Sequence, residues 1–550
     1  MRKLGDRSEQ RGRRVPPTVA GFEAALRDRG HDGVGEALIS RHNQRFERAV
    51  DIGHMMQCVA MPLLASYLPL ATTALELGVH PGRPPSDTGQ SWEEHVAWGL
   101  DSVAAAVRLI ISLQPVGAGV IARTQLERWS SNLEFSSGID QMQGEATAAW
   151  LTRIWSTPPV RPPDGVTTPV GDLFADISEL LHGRGPLMPL VWLDIADVTD
   201  APSSEHVKLL DTISDVLVVN LSHLRTCLAS VAENEGRHET AQMINMTRLV
   251  SPTRSWLPDL RAFLLPMTPY MFKQPGVDNI LGAMASGHRR VTLALRAGRR
   301  PTEPAELWPA LSFGAHRFRA SQHAAFAHTW EQQLLGDRFK GNGVDNLAAE
   351  AVLAGEMAAV LALWLRQDPG RRSAADAFAI CASGLRSAQW LWLEDDSRGM
   401  GCLRTVIEQL ARARTWRLKP ERARKIEANP NATPRDWVEG AGWKRLNLLN
   451  RALGEFAHGS TKTNWELARK ALVALQDNTE ADEAKYRGRT HALAAMIFIL
   501  SVECAAWVDG FSAQLGQAYR RVIRVDDTLA DRAIESLLNR SWEKRGTPLR

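Results

Sequence analysis

The amino-acid sequence predicts an all-α protein built from two homologous helical units. Apolar residues recur with the helical period, alternating β-branched runs are nearly missing, and one ordered series of motifs occurs twice. We therefore expect about twenty helices, in a first unit over 19–270 and a second over 271–550. The clearest periodic stretches are 97–113, 203–231, 342–365, 375–393 and 488–513.

Residues 1–18 are basic and polar, and they predict a disordered tail without the apolar segment of a secretory signal. The uncharged run from Ile52 to Leu75 is long enough to span a bilayer. Pro62 and Pro69 interrupt this run and no basic cluster flanks it. We therefore expect two buried helices that meet at proline, and no membrane partner.

The composition is that of a globular protein with little charge bias. The chain has 550 residues, of which 44% are hydrophobic and 23% are charged. The 65 basic and 62 acidic residues give a net charge of +3, which argues against a dedicated nucleic-acid coat protein. Five scattered cysteines without a C-x-x-C pair predict free thiols and a cytoplasmic location.

The repeated motif series predicts a tandem duplication. RTQLE at 123–127 returns as RTVIE at 404–408, 281 residues later, and SELLHG at 178–183 returns as GEFAHG at 454–459. A glycine-bearing loop precedes each R-T-x-x-E segment. A proline-rich loop, the E-x-x-H-G segment and an apolar helix with one cysteine follow it. Chance recurrence of one short motif is common, whereas recurrence of the whole ordered series indicates two related units.

Each unit contains four polar residues at helical spacing. The arginine and glutamate of R-T-x-x-E are four positions apart and share a helix face. The glycine after each histidine suits a left-handed helix C-cap, where the helix dipole would favour a protonated imidazole. The predicted polar cluster comprises Arg123, Glu127, Glu179 and His182 in the first unit, and Arg404, Glu408, Glu455 and His458 in the second.

Two functions of this cluster follow from the residues themselves. In a binding or scaffold protein, the cluster would be structural, because charged groups beside a core must be paired. Alternatively, two lone glutamates and two E-x-x-H helices are the ligand set of a di-metal carboxylate bundle. The arginine one turn before each lone glutamate would repel metal ions, and the glycine ends the helix where such a site would continue.

A third function is a metal-independent ribonuclease. Arg451 and His458 are seven residues apart, so they lie two turns along one helix face. This spacing resembles the short motif of HEPN domains, which are helical proteins of toxin, phage-defence and RNA-processing systems. The resemblance implies that His458 moves the 2′-hydroxyl proton of RNA and Arg451 stabilises the phosphorane, in a groove between two copies. The first unit has Ala175 in place of the arginine, so only the second would be active.

The wider pattern around RTVIEQLARARTW at 404–416 resembles a set of all-helical bacterial proteins, mainly actinobacterial. It covers about 60 residues in each unit and implies a soluble bacterial protein without transferring an activity. No P-loop or dinucleotide fingerprint occurs in the sequence, so no cofactor is expected. RNA, a protein partner and a homodimer all stay open.

Overall fold

The described part of the computed structural model consists mainly of α-helices. The described residues contain no β-strand, so the predicted all-α class is confirmed. They are 19–78, 92–111, 113–156, 165–196, 204–247, 249, 343–393, 398–429, 432–443, 446, 449, 450, 453, 454 and 481–522. The predicted tail over 1–18 and the predicted unit boundary at 270 and 271 lie outside them.

The first predicted unit contains eight described helices. The periodic stretches 97–113 and 203–231 match two of them, α2 and α7, to within a few residues. The eight are α1 (Val19–Glu76), α2 (Trp92–Ile111), α3 (Pro115–Ser137), α4 (Thr147–Trp155), α5 (Val170–Leu181), α6 (Met188–Ile195), α7 (Ser204–Asn234) and α8 (His238–Met246).

Helix α1 is 58 residues long and departs from helical geometry only at Gly30, whose φ is 64°. It continues through Pro62 and Pro69, so the predicted break at proline is wrong. A proline inside a helix removes one hydrogen bond and costs about 3 kcal/mol. Leu63 and Leu70 on the same helix are fully buried, and burial of such side chains offsets the loss.

Seven described helices belong to the second predicted unit. The stretches 342–365 and 375–393 match α9 and α10, whereas 488–513 extends across the turn at Gly510 that separates α14 from α15. The seven are α9 (Gly343–Leu365), α10 (Arg372–Leu393), α11 (Gly399–Leu418), α12 (Pro420–Glu427), α13 (Pro434–Gly440), α14 (Ala481–Asp509) and α15 (Ala513–Val522).

One continuous hydrophobic core joins the two predicted units. It extends from Phe22 in α1 to Val522 in α15. Helix α3 packs against α10 and α11, α6 packs against α10, and α1 packs against α9 and α15. The backbone of Gly117 in α3 lies so close to Ser387 in α10 that an added Cβ would be 2.5 Å from the serine side chain. The units are therefore packed on each other.

Five charged residues form a buried ionic network between α1, α6, α9 and α10. Arg45 pairs with Glu356, 311 residues away, and donates to the backbone oxygen of Asp194 at 2.8 Å. Arg386 Nη1 is 2.6 Å from Asp194 Oδ1, and Arg41 Nε is 3.5 Å from Glu356 Oε2. No local motif marks these residues, which is why the sequence analysis missed them. This network connects α1 and α6 with α9 and α10, which are distant from them in the sequence.

Within the described part of the chain, one helical segment is long and apolar enough to cross a membrane. It is Ala492–Asp509 in α14, and 72% of it is buried inside the fold, as in the core helix of a soluble protein. Cys227, Cys381, Cys402 and Cys504 form no disulfide bond within the described residues.

Candidate functional site

The two R-T-x-x-E segments form the same side-chain pair. Arg123 Nε is 3.0 Å from Glu127 Oε1 in α3, and Arg404 Nε is 2.8 Å from Glu408 Oε1 in α11. All four side chains are less than a fifth exposed. The i,i+4 spacing brings each pair together on one helix face, as the sequence analysis expected.

Helix α5 ends in a glycine cap. Gly183 has a φ of 70°, and its N–H donates to the Leu180 oxygen at 2.9 Å. The N–H of Arg184 donates to the Glu179 oxygen, also at 2.9 Å. These two bonds are the Schellman pattern, in which a left-handed residue ends the helix, and they confirm the predicted cap. They place His182 at the last turn of α5.

Helix α11 of the second unit covers this end of α5. Gln409 Nε2 donates to the Leu181 oxygen at 3.1 Å. Arg412 Nη1 donates to the His182 oxygen at 3.0 Å and to the Gly183 oxygen at 3.3 Å. The last carbonyls of a helix have no partner within it, and its dipole favours a cation there. The arginine and the amide therefore satisfy the C-terminus of α5 from across the unit boundary.

His182 lies in the field of both arginine–glutamate pairs. Burial lowers the pKa of His182 to about 4; Glu408 opposes this shift, and Arg123, Arg184 and Arg404 add to it. The imidazole is therefore neutral at pH 7. The expectation of a protonated ring is wrong for His182, because desolvation and three arginines outweigh the helix dipole.

Of the predicted cluster residues that the structure describes, Arg123 and His182 of the first predicted unit lie near Arg404 and Glu408 of the second. Glu179 does not join this group: its side chain is exposed, lies over Gly185 and forms no ion pair within the described residues. The chain turns back at Gly183, so that Glu179 faces the following loop at Gly185, whereas Arg412 of α11 reaches the helix end at His182. The junction residues are Arg123, Glu127, His182, Arg404, Glu408, Gln409 and Arg412.

Three predicted site residues, Arg451, Glu455 and His458, lie outside the described residues. The HEPN-like ribonuclease hypothesis therefore stays a prediction, as does half of the di-metal ligand set. Among the residues that the structure describes, no group of three or more His, Cys, Asp or Glu side chains is placed to hold a metal ion. Glu127 and Glu408 are each paired with an arginine.

A pocket of about 580 Å³ opens where the chain leaves Gly183 and enters α6. This volume is within the usual range for small-molecule sites. Sequence reasoning missed it because its walls come from the loop before α6, from α6 itself, from α7, and from the α9–α10 connection. The polar and aromatic residues of its wall are Arg184, Trp192, His206, Arg366, Arg372 and Asp376.

Trp192 links the apolar and charged walls of this pocket. The Arg366 guanidinium lies 4.3 Å from the centroid of the Trp192 ring, and the indole hydrogen-bonds to the Asp376 carboxylate. Burial raises the pKa of Asp376, against the opposing effects of Arg412, Arg372, the Trp192 bond and Arg366. Arg412 therefore acts electrostatically on both the junction and the pocket.

The fold and the site define an all-α protein with a polar junction between α3, α5 and α11 and an arginine-lined pocket beside it. Comparison of the chain with protein-family models, with curated proteins and with solved structures found no match.

Proposed function

We propose that the protein is a non-enzymatic binding or scaffold protein whose arginine–glutamate–histidine junction is structural. Arg412 carries the proposal, because one side chain of the second unit donates to the backbone that ends α5 in the first unit. The surrounding charged groups are engaged with each other, and His182 is neutral at pH 7. Carboxylates that are paired with arginines, and an imidazole whose pKa is lowered to about 4, are poorly suited to acid–base catalysis at pH 7.

Arg412 is almost fully buried in the junction. Arg412 is 4% exposed and also pairs with Glu427 of α12. Removing one partner of a buried charged network leaves the others unsatisfied, so such networks specify a particular packing even where their net stabilisation is small. The junction would thus hold the two units in one arrangement and preserve the shape of any binding surface between them.

A tandem duplication is part of the same proposal. The helix pair α2 and α3, of 20 and 23 residues, has a counterpart in α10 and α11, of 22 and 20 residues. The second helix of each pair carries the same Nε–Oε1 ion pair. An experimental structure in which 92–137 fails to superpose on 373–418 would contradict a common origin. The free thiols support a cytoplasmic location, which we also propose.

Substitution of Arg412 tests the structural role. We expect Arg412→Ala to reduce the free energy of unfolding by about 2 to 4 kcal/mol, because two helix-end carbonyls and Glu427 lose their donor. Urea denaturation followed by circular dichroism measures this loss.

The matched control is Arg435→Ala in α13. Arg435 forms an i,i+4 pair with Glu439, but its side chain is 69% exposed. We expect little change, because exposed pairs contribute little to stability. Equal stability of the two variants would refute the structural role of the junction.

A further inference from the structure

Three arginines lie around the pocket beside α6. They are Arg184 from the loop before α6, Arg366 after the end of α9, and Arg372 at the start of α10. None of them forms a salt bridge within the part of the chain that the structure describes. Among the described residues of the pocket wall there is one carboxylate, Asp376, so three positive charges face one negative charge there.

A second arginine-lined pocket shows the opposite arrangement. It has a volume of about 310 Å³ and lies beside α11 and the end of α14. Its three arginines are all neutralised by nearby carboxylates: Arg371 Nε is 3.1 Å from Asp368, Arg417 Nε is 2.7 Å from Glu503, and Arg424 pairs with Glu421. Each pocket thus has three arginines. The pockets differ in whether these arginines form salt bridges within the described residues.

An excess of positive charge in a recess concentrates field lines and favours an anion. The guanidinium group offers several donors in a planar fork that matches phosphate oxygens. Because three such groups are present, a ligand with a doubly charged phosphate fits the site better than a ligand with one carboxylate. The apolar wall adds a second requirement. Met188, Trp192 and Leu193 line a space much larger than an inorganic phosphate ion, so the ligand would have an organic body as well.

We propose that this pocket binds a small organic phosphate. Arg184, Arg366 and Arg372 hold the phosphate group, and the organic body lies against Met188, Trp192 and Leu193. Asp376, which is held by the Trp192 indole, orients a hydroxyl or amino group of that body. This inference goes beyond the structural role of the junction and does not depend on it.

Isothermal titration calorimetry of the full chain at low ionic strength tests the proposal. The probes are ribose 5-phosphate, glucose 6-phosphate and adenosine 5′-monophosphate, with inorganic phosphate, adenosine and citrate for comparison. We expect at least one organic phosphate to bind ten times more tightly than inorganic phosphate, with no binding of adenosine. Absence of binding by all three organic phosphates, or tighter binding of citrate than of any of them, would overturn the proposal.

Two double variants locate the binding. Arg184→Ala with Arg372→Ala removes two exposed arginines of the proposed site and leaves Arg366 on Trp192. We expect at least a tenfold loss of affinity with an unchanged thermal melt in the absence of ligand. Arg371→Ala with Arg424→Ala alters the other pocket and should leave the affinity unchanged. Wild-type affinity in the first variant, or an equal loss in both, would refute the assigned site.

Discussion

The helices α3 and α11 carry the same arginine–glutamate pair but differ in what surrounds it. In α11, Gln409 and Arg412 follow the pair and reach the end of α5. The residues 281 positions earlier in α3 are Arg128 and Ser131. Arg128 lies over the Trp98 ring at 4.2 Å, and Ser131 bonds to the backbone of its own helix. Helix α11 thus contacts the end of α5 through these two residues, whereas α3 uses the positions 281 residues earlier for contacts with α2 and with its own backbone.

The residues between the arginine and the glutamate differ in the same way. Gln125 of α3 donates to the Gly99 oxygen of α2 at 2.7 Å. The corresponding residue of α11, Val406, packs against Gly384 of α10 instead. The repeated positions preserve a contact inside one helix, whereas the varied positions decide which neighbour that helix binds. Recurrence of a motif therefore does not imply recurrence of its surroundings.

The contact between α11 and the end of α5 can be broken at Gly183. An alanine Cβ there would lie 2.7 Å from Arg412 Nη1, in addition to the strain of a φ of 70°. We expect Gly183→Ala to reduce the free energy of unfolding by about 3 to 4 kcal/mol, the sum of left-handed strain and overpacking. Equilibrium urea denaturation measures it.

Gly236 supplies the control for this substitution. It ends α7 with a φ of 73°, and an added Cβ would meet nothing within 4 Å. Its N–H bonds to the Glu233 oxygen at 3.0 Å, so the backbone arrangement is similar. Gly236→Ala should therefore reduce the free energy of unfolding by about 1 kcal/mol, which is the cost of the left-handed strain alone. If both variants lost the same free energy of unfolding, Arg412 of α11 would not be in close contact with Gly183 at the end of α5.

The neutral state of His182 sharpens the comparison through pH. The pKa of His182 is about 4 in the folded protein, below the ordinary value of 6.5, because of burial. The unfolded chain then binds more protons between these two values, so stability falls as the pH decreases from 6.5 to 4. The loss of unfolding free energy that His182 causes is at most about 3 kcal/mol at pH 4. Unfolding free energies at pH 7, 5.5 and 4.5 measure the decrease.

The variant His182→Gln separates this loss from the loss that His223 causes. Burial also lowers the pKa of His223 to about 4, between Trp129 and Trp155. We expect the variant to lose the part of the pH dependence that His182 causes and to keep the part that His223 causes. An unchanged pH profile would show that His182 is not desolvated by the junction.

Local features of this protein were predictable from the sequence, whereas long-range contacts were not. A buried helix face repeats every three to four residues, so α2, α7, α9 and α10 were found to within a few residues. The Arg123–Glu127 pair and the Gly183 cap likewise depend only on neighbours in the chain. The contact of Arg412 with Gly183 joins residues 229 positions apart and depends on how whole helices pack. The break predicted at Pro62 is wrong because burial of Leu63 and Leu70 on the same helix outweighs the local cost of proline.

The smallest expected effect concerns RNA, where the two units differ in sequence. The second unit has Arg451 seven residues before its histidine, and the first has Ala175. If the junction has only a structural role, we expect wild type, His458→Ala and His182→Gln all to leave total cellular RNA intact, as measured on a denaturing gel. His182→Gln is the matched control, because it alters the corresponding histidine in the unit that lacks the arginine. Cleavage by wild type and His182→Gln that disappears in His458→Ala would replace the scaffold proposal with a HEPN-like ribonuclease, since only the second unit carries both groups.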